Sequence, residues 1–153
     1  DNVNFMISTN PGEPVRPLNK VASGGELSRI MLAIKSILAS EDEIDTLIFD
    51  EIDTGISGKT ATMVAEKMAN ISRHHQVICI SHLSQIAAMA DNHYLIEKKL
   101  ENNSTITNIK KLSGDESIEE LVRINGDGTV SEAAISHAKE MKEMAERTKS
   151  YLI

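Results

Sequence analysis

The 153-residue chain has a single cysteine, Cys79. One thiol excludes an internal disulfide and any multi-cysteine metal site. A chain of this length needs no such staple, because folding buries roughly 70% of its unfolded surface. No apolar run approaches the roughly 18 residues of a membrane span. The opening Asp1-Asn2-Val3-Asn4 has neither the basic nor the apolar region of a secretion signal. The expectation is therefore a reducing, cytoplasmic setting. Positive charge is also in deficit, with 16 Lys and Arg against 23 Asp and Glu and a net charge of −7. A domain that grips nucleic acid through its whole surface is basic, so this balance argues against that role for the segment taken alone. A local basic patch, or DNA contacts made elsewhere in a longer protein, stay open. The chain starts on Asp1 rather than Met, and the expectation is a piece of a longer protein.

What is present reads as one globular domain: 41% hydrophobic and 25% charged residues, which argues against disorder and against a coiled-coil rod. Residues 3–9 mix β-formers with polar residues and read as a strand. Residues 10–22 hold Pro11, Pro14 and Pro17 and read as a long loop, of the kind that is often functional. Residues 23–40 read as a helix with an apolar stripe at Leu27, Ile30, Met31, Ile34, Ile37 and Leu38. The run Leu47-Ile48-Phe49 suits a buried strand over 45–50. A second helix is predicted over 58–73, with Met63, Val64, Met68 and Ile71 on one side. A second buried strand covers 76–80, and a short helix covers 83–90. Residues 93–98 and 105–112 suit an exposed hairpin joined through Glu101-Asn102-Asn103. Helices over 117–124 and 131–149 complete the chain. The last carries Val130, Ala133, Ala134, Ala138, Met141 and Ala145, a face expected to pack on the sheet. Helices alternating with buried strands imply an α/β domain with a largely parallel sheet. In such sheets ligands sit at the C-terminal strand ends, which singles out Asp50, Glu51, Ser81 and His82.

Three constellations could carry chemistry. Asp50 and Glu51 end an apolar strand; the first acid is placed to order Mg²⁺ and its waters, the second to polarise an attacking water. The same residues also suit a strand running into a solvated acidic turn. Ser23-Gly24-Gly25-Glu26 opens a helix. Ser-x-x-Glu is a capping box, which explains the polar residues but not the glycines. Bare backbone at a helix N-terminus lets an anion approach, while a capped helix with a glycine turn is the plainer alternative. Ser81-His82 ends the second strand, where a neutral imidazole could donate to a phosphate oxygen or simply pack at the surface.

Other features are set aside. Gly58-Lys59-Thr60 mimics a phosphate-binding P-loop, but the full pattern needs a glycine at position 53, which is Asp53, and Gly55 lies too close. No other P-loop occurs. His74 and His75 are neighbours and make a poor chelate. Cys79, inside an apolar strand, reads as an inert core thiol.

Taken in order, these pieces resemble the C-terminal half of an ABC-type ATPase head. Ala22-Ser23-Gly24-Gly25-Glu26 looks like the signature, Leu47-Ile48-Phe49-Asp50-Glu51 like Walker B with its catalytic glutamate, Asp53-Thr54-Gly55 like the D-loop, and His82 like the switch histidine. Within that superfamily the stretches 10–13, 18–29, 49–61 and 81–94 are most similar to the RecN family of bacterial DNA repair proteins, SMC-like ATPases. The resemblance covers essentially the whole of 1–153 and implies half a head, without the P-loop half and coiled coil of such proteins. It implies ATP and Mg²⁺ as cofactors, with ATP sandwiched between two heads. Ser23, Gly24, Gly25 and Glu26 would meet the nucleotide in trans, Asp50 would help hold Mg²⁺, Glu51 would position water, Asp53 would serve in the D-loop, and His82 would sense the γ-phosphate, in an in-line attack driven by positioning and charge. The implied partners are a second head in a homodimer, the P-loop half of its own head, and DNA through the whole protein, with no membrane. The implied role is double-strand-break repair and recombination at the bacterial nucleoid. Two alternatives stay open: a head of another SMC-like or transporter-type ABC ATPase, and a non-enzymatic dimerisation or docking module.

Overall fold

The computed structural model describes residues 3–8, 11–20, 23–39, 43–101, 104–126 and 130–152. Thr9, Asn10, Val21, Ala22, Ser40, Asn102 and Asn103, on which sequence expectations fell, lie outside them. The chain divides into two units, 1–56 with 71–81, and 57–70 with 82–153.

In the first unit, β1 (Met6–Ile7) pairs antiparallel with β2 (Arg16–Pro17), Met6 opposite Pro17. The Leu18 N–H donates to the Phe5 carbonyl at 2.9 Å, and the chain continues into a 3-10 turn, Leu18–Lys20. The proline-rich stretch is thus not the plain loop expected. The first strand is shorter than expected because Val3, Phe5 and Met6 are exposed and have no face to bury.

Helix α1 (Gly24–Leu38) starts from a complete capping box. Ser23 Oγ accepts from the Glu26 N–H at 3.3 Å, and Glu26 Oε2 accepts from the Ser23 N–H at 2.9 Å. Its buried residues are Gly25 and Leu32. Leu27, Met31, Ile37 and Leu38 of the expected apolar stripe are exposed. The reason is that α1 is held through Gly25, Ser28, Arg29 and Leu32, which share one face at helical spacing, and Ser28 and Arg29 bond to the backbone of residues 50, 52 and 54.

Strands β3 (Thr46–Phe49) and β4 (Gln76–Cys79) are parallel, in register from Thr46 opposite Gln76 to Phe49 opposite Cys79. The ladder extends by Gln76 N–H to Asp45 O at 2.7 Å and Ile80 N–H to Phe49 O at 3.0 Å. The fold class is the expected α/β, with two parallel strands among the described residues and the remaining strands in antiparallel pairs. The strands are buried on one side only. Leu47 and Phe49 are covered, whereas Ile48, Ile78 and Ile80 are 67%, 44% and 50% exposed. A continuous apolar run signals cover on both faces, and one of those faces is bare here. His75, only 6% exposed, sets its ring nitrogens 2.6 Å from Ile44 O and 3.1 Å from Ala39 O. It pins the chain entering β3 and takes no part in a chelate with the exposed His74.

The second unit holds most of α2 (Gly58–Ile71), the chain link between β3 and β4. Its buried stripe is Ala61, Val64, Ala65 and Met68; Met63, expected on that side, is 55% exposed. Then follow α3 (Ser84–Met89), the hairpin β5 (Tyr94–Glu101) and β6 (Ser104–Lys111), α4 (Gly114–Asn125) and α5 (Glu132–Tyr151). Ala88, Leu121, Val122 and Ala138 form the core, flanked by Ala87, Ile118, Ala134, Ile135 and Met141. Helix α5 therefore packs on α3 and α4, not on a sheet as expected. Its alanines let the helix axes approach, and fully buried Leu121 alone contributes about 1.5–3 kcal/mol. Val130 precedes the helix and is exposed. No helix among the described residues is long and apolar enough to cross a membrane.

A second capping box opens α4, where Ser113 N–H donates to Glu116 Oε2 at 2.8 Å and Glu116 N–H to Ser113 Oγ at 3.3 Å. The Lys110 ammonium of β6 also donates to the Glu116 carboxylate. Lys110 first, then Ser113, lower the Glu116 carboxyl from its usual 4.5 to about 2. A depressed carboxyl stabilises the fold above its unfolded value, and that contribution is lost as pH falls through the folded value. Helix content followed from pH 4.5 down to 2 should fall, and Glu116→Gln should flatten that part of the curve. An unchanged curve would assign the acid response to other carboxylates.

Candidate functional site

Strand β3 delivers Asp50 and Glu51 to its C-terminal end, both exposed. Glu51 has φ of 57°, the left-handed region that favours glycine, and is the only such non-glycine residue among those described. A conformation of this kind costs of order 1–3 kcal/mol and persists only where its surroundings impose it. Here Asp50 Oδ1 accepts from the Glu51 N–H at 2.9 Å, and Glu51 O accepts from the Thr54 N–H at 3.0 Å. Gly55, at φ 75°, completes the turn, with Ile56 N–H bonded to Asp53 O at 3.3 Å.

The first turn of α1 lies on this turn. A Cβ on Gly25 would stand 2.7 Å from Glu51 O, 3.0 Å from Thr54 Cβ and 3.1 Å from Arg29 Nη1. One on Gly24 would run into the Glu51 carboxylate. Gly25 therefore has a reason inside the chain, which the sequence reading had reserved for a ligand, whereas beside Gly24 only the flexible tip of Glu51 would have to shift. By contrast, Gly114 at the equivalent place in the second capping box would meet nothing within 4 Å. The Glu51 carboxylate rests at the positive end of the α1 dipole, which favours negative charge. Glu26 is committed to the cap, and its carboxyl is held below the usual range by the Ser23 N–H and hydroxyl.

Asp53 is 3% exposed and accepts from Ser81 Oγ at 2.6 Å. Ser81, singled out with His82 as a strand-end residue, is thus bonded to the turn itself. The Cys79 thiol is pushed up to about 12 by burial first, then by the negative charges of Asp53 and Asp50. A thiol raised in this way is a weak nucleophile, and Cys79 is half-buried rather than in the core expected for it. His82 is exposed and belongs to the second unit, as the first residue of its longer stretch. So Ser23, Gly24, Gly25, Glu26, Asp50, Glu51, Asp53 and Ser81 fall in one unit and His82 in the other. Ala22 lies outside the described residues. The sequence reading missed Ser28 and Arg29; the signal was their position three and four residues after Gly25, on the same helix face. Among the described residues no group of three or more His, Cys, Asp or Glu could hold a metal unaided. The adjacent carboxylates of Asp50 and Glu51 are a hard, all-oxygen set, suited to an ion that keeps its waters and shares phosphate oxygens.

No protein-family model matches the chain. Among curated proteins it is similar to the DNA repair protein RecN of Bacillus subtilis, 49% identical over 150 residues, which are 98% of this chain and 26% of that protein. RecN of Treponema pallidum is 48% identical over 141 residues, 92% of this chain and 25% of the relative. RecN of Deinococcus radiodurans is 44% identical over 137 residues, 90% and 24%. The chain thus spans about a quarter of the length of the curated relatives it matches. A solved structure from work on the ATP-driven dimerization and DNA-stimulated activation of SMC ATPases matches with a TM-score of 0.51 at 19% identity, covering 80% of each chain. The fold is like that of this SMC ATPase structure, and over nearly its whole length the chain is similar to a quarter-length segment of the DNA repair protein RecN.

Proposed function

We propose that this segment is the signature and Walker B half of an ATP-hydrolysing head that acts in DNA double-strand-break repair and recombination. The observation that carries the reading is the turn at the end of β3, where a left-handed Glu51 is held against the capped Gly24-Gly25 helix start. In this reading Asp50 would help hold Mg²⁺, with its Oδ1 also accepting from the Glu51 N–H. Glu51 aligns a water for in-line attack on the γ-phosphate, where positioning and charge supply most of the acceleration. Asp53, fixed by Ser81, presents the D-loop, and His82 contacts the γ-phosphate. Ser23, Gly24 and Gly25 face the nucleotide of a second head in a homodimer, with Glu26 keeping the cap in place. Mg²⁺ would supply neutralisation of the charge that develops on the phosphates.

A P-loop half elsewhere in a longer protein is the proposed cover for the bare side of β3–β4, where Ile48, Ile78 and Ile80 stand exposed. The relatives are about four times as long as this chain, and so have the length for that half and for a coiled coil. DNA contacts fall to the whole protein, in keeping with the −7 charge of this segment. A cytoplasmic, nucleoid-associated location goes with that role.

In the whole protein, Glu51→Gln removes the negative charge but keeps size and hydrogen bonding. Hydrolysis should slow by about two orders of magnitude, with ATP binding retained. Loss of ATP binding instead would move Glu51 to a structural or metal-holding role.

Ser23→Arg takes away the cap oxygen, worth about 1 kcal/mol, and adds bulk where a phosphate should approach. The whole protein should stay folded and bind ATP, while ATP-dependent head pairing and hydrolysis are lost. Melting, nucleotide binding and dimerisation on one preparation separate these effects. Normal pairing and turnover would reduce residues 23–26 to an ordinary helix start.

A further inference from the structure

Two side chains outside every motif tie α1 to the turn that carries the carboxylates. The half-buried Arg29 donates twice from the same nitrogen, Nη1, to Ile52 O at 3.0 Å and to Thr54 O at 2.9 Å. Ser28 Oγ donates to Asp50 O at 2.9 Å. The carbonyls of residues 50, 52 and 54 therefore all point at α1, and they bracket Glu51 and Asp53. A charged donor makes the stronger kind of hydrogen bond, and it spans the two residues on either side of buried Asp53. Gly25 closes the same contact from the next turn of the helix. Together these bonds leave the 50–54 backbone little freedom to relax Glu51 out of its left-handed conformation.

We propose that Arg29, assisted by Ser28, is a positioning residue for Glu51. It fixes the turn to α1, keeps the Glu51 carboxylate aimed, and transmits any displacement of α1 to Glu51 and Asp53. It touches neither nucleotide nor metal and acts only through that turn. The proposal rests on the reading of Glu51 as the water-orienting carboxylate.

The test uses the whole protein with Arg29→Met, which keeps the apolar stem and removes both donors, and Arg29→Lys, each alone and combined with Glu51→Gln. Single-turnover hydrolysis, nucleotide affinity and melting are measured together. Arg29→Met should lower the hydrolysis rate by about 10- to 100-fold, the scale expected for a misplacement of about 1 Å, with nucleotide affinity within about twofold. Arg29→Lys should recover part of the rate, since one nitrogen carries both bonds and the lysine stem is only one atom shorter. In the Glu51→Gln background Arg29→Met should add no further loss, because both act on one step. Normal hydrolysis in Arg29→Met overturns the proposal, as does a fall in affinity that accounts for the rate, or a loss that multiplies onto that of Glu51→Gln. If Arg29→Met does not fold, Arg29→Lys and Ser28→Ala carry the test, and unchanged rates in both overturn it. Slow Glu51→Gln with normal Arg29 variants rejects the positioning role alone; normal Glu51→Gln rejects the reading of Glu51 itself.

Discussion

The contact between the first turn of α1 and the backbone of residues 50–54 is the constraint on which the first unit depends. Helix and turn approach so closely that a single methyl on Gly25 would sit 2.7 Å from the Glu51 carbonyl. Capping by Ser23 and Glu26 pairs the free N–H groups of the helix start, glycine removes the bulk, and Arg29 and Ser28 turn proximity into hydrogen bonds. None of these works alone. A cap without glycines could not dock, and glycines without donors would leave three carbonyls facing a helix with nothing to accept from.

The two units reach stability by different routes. The second has a conventional core in which Leu121 and Val122 of α4 meet Ala88 of α3 and Ala138 of α5, with the Lys149–Asp91 pair at 2.7 Å along its rim. The first has few buried apolar side chains and leans on polar pins: His75 between two carbonyls, Arg29 between two more, and Ser81 on Asp53. Backbone polar groups that are not in a sheet or helix still have to be paired, and here side chains pair them. That economy suits a turn whose shape must be set to within a fraction of an ångström.

Element order was legible because periodicity and breakers are local properties. Every helix and the hairpin fell near its expected place, and Asp50 and Glu51 could be singled out as the end of an apolar strand. Burial was less legible. The stripe Leu27, Met31 and Leu38 is apolar and periodic, yet it lies exposed, because the face that docks is chosen by Gly25 and Arg29. The same holds for Ile48 and Ile78, whose apolar character signals a cover that these residues do not themselves provide. The pattern Ser-Gly-x-Glu occurs twice, at residues 23–26 and 113–116, and both make the same capping box. They differ at the third residue, Gly25 against Asp115, and what that glycine is for shows only in the crowding around it, which is a tertiary property. Arg29 was hidden for the same reason: an arginine on a helix reads as solvated until the carbonyls it meets are known.

The backbone of Glu51 sets the useful against the durable. Its φ of 57° is one that a glycine would adopt without strain, and relieving a left-handed side chain is worth roughly 1–2 kcal/mol. Glycine at 51 would thus count as an improvement in any screen that ranks variants by heat resistance. It would also erase the carboxylate that the turn sets against Gly24. Proteins commonly sacrifice stability at the places where they act, and on the proposed reading of Glu51 the sacrifice in this chain is located to a single torsion angle. A stabilised variant raised without a functional filter should be sequenced first at that position.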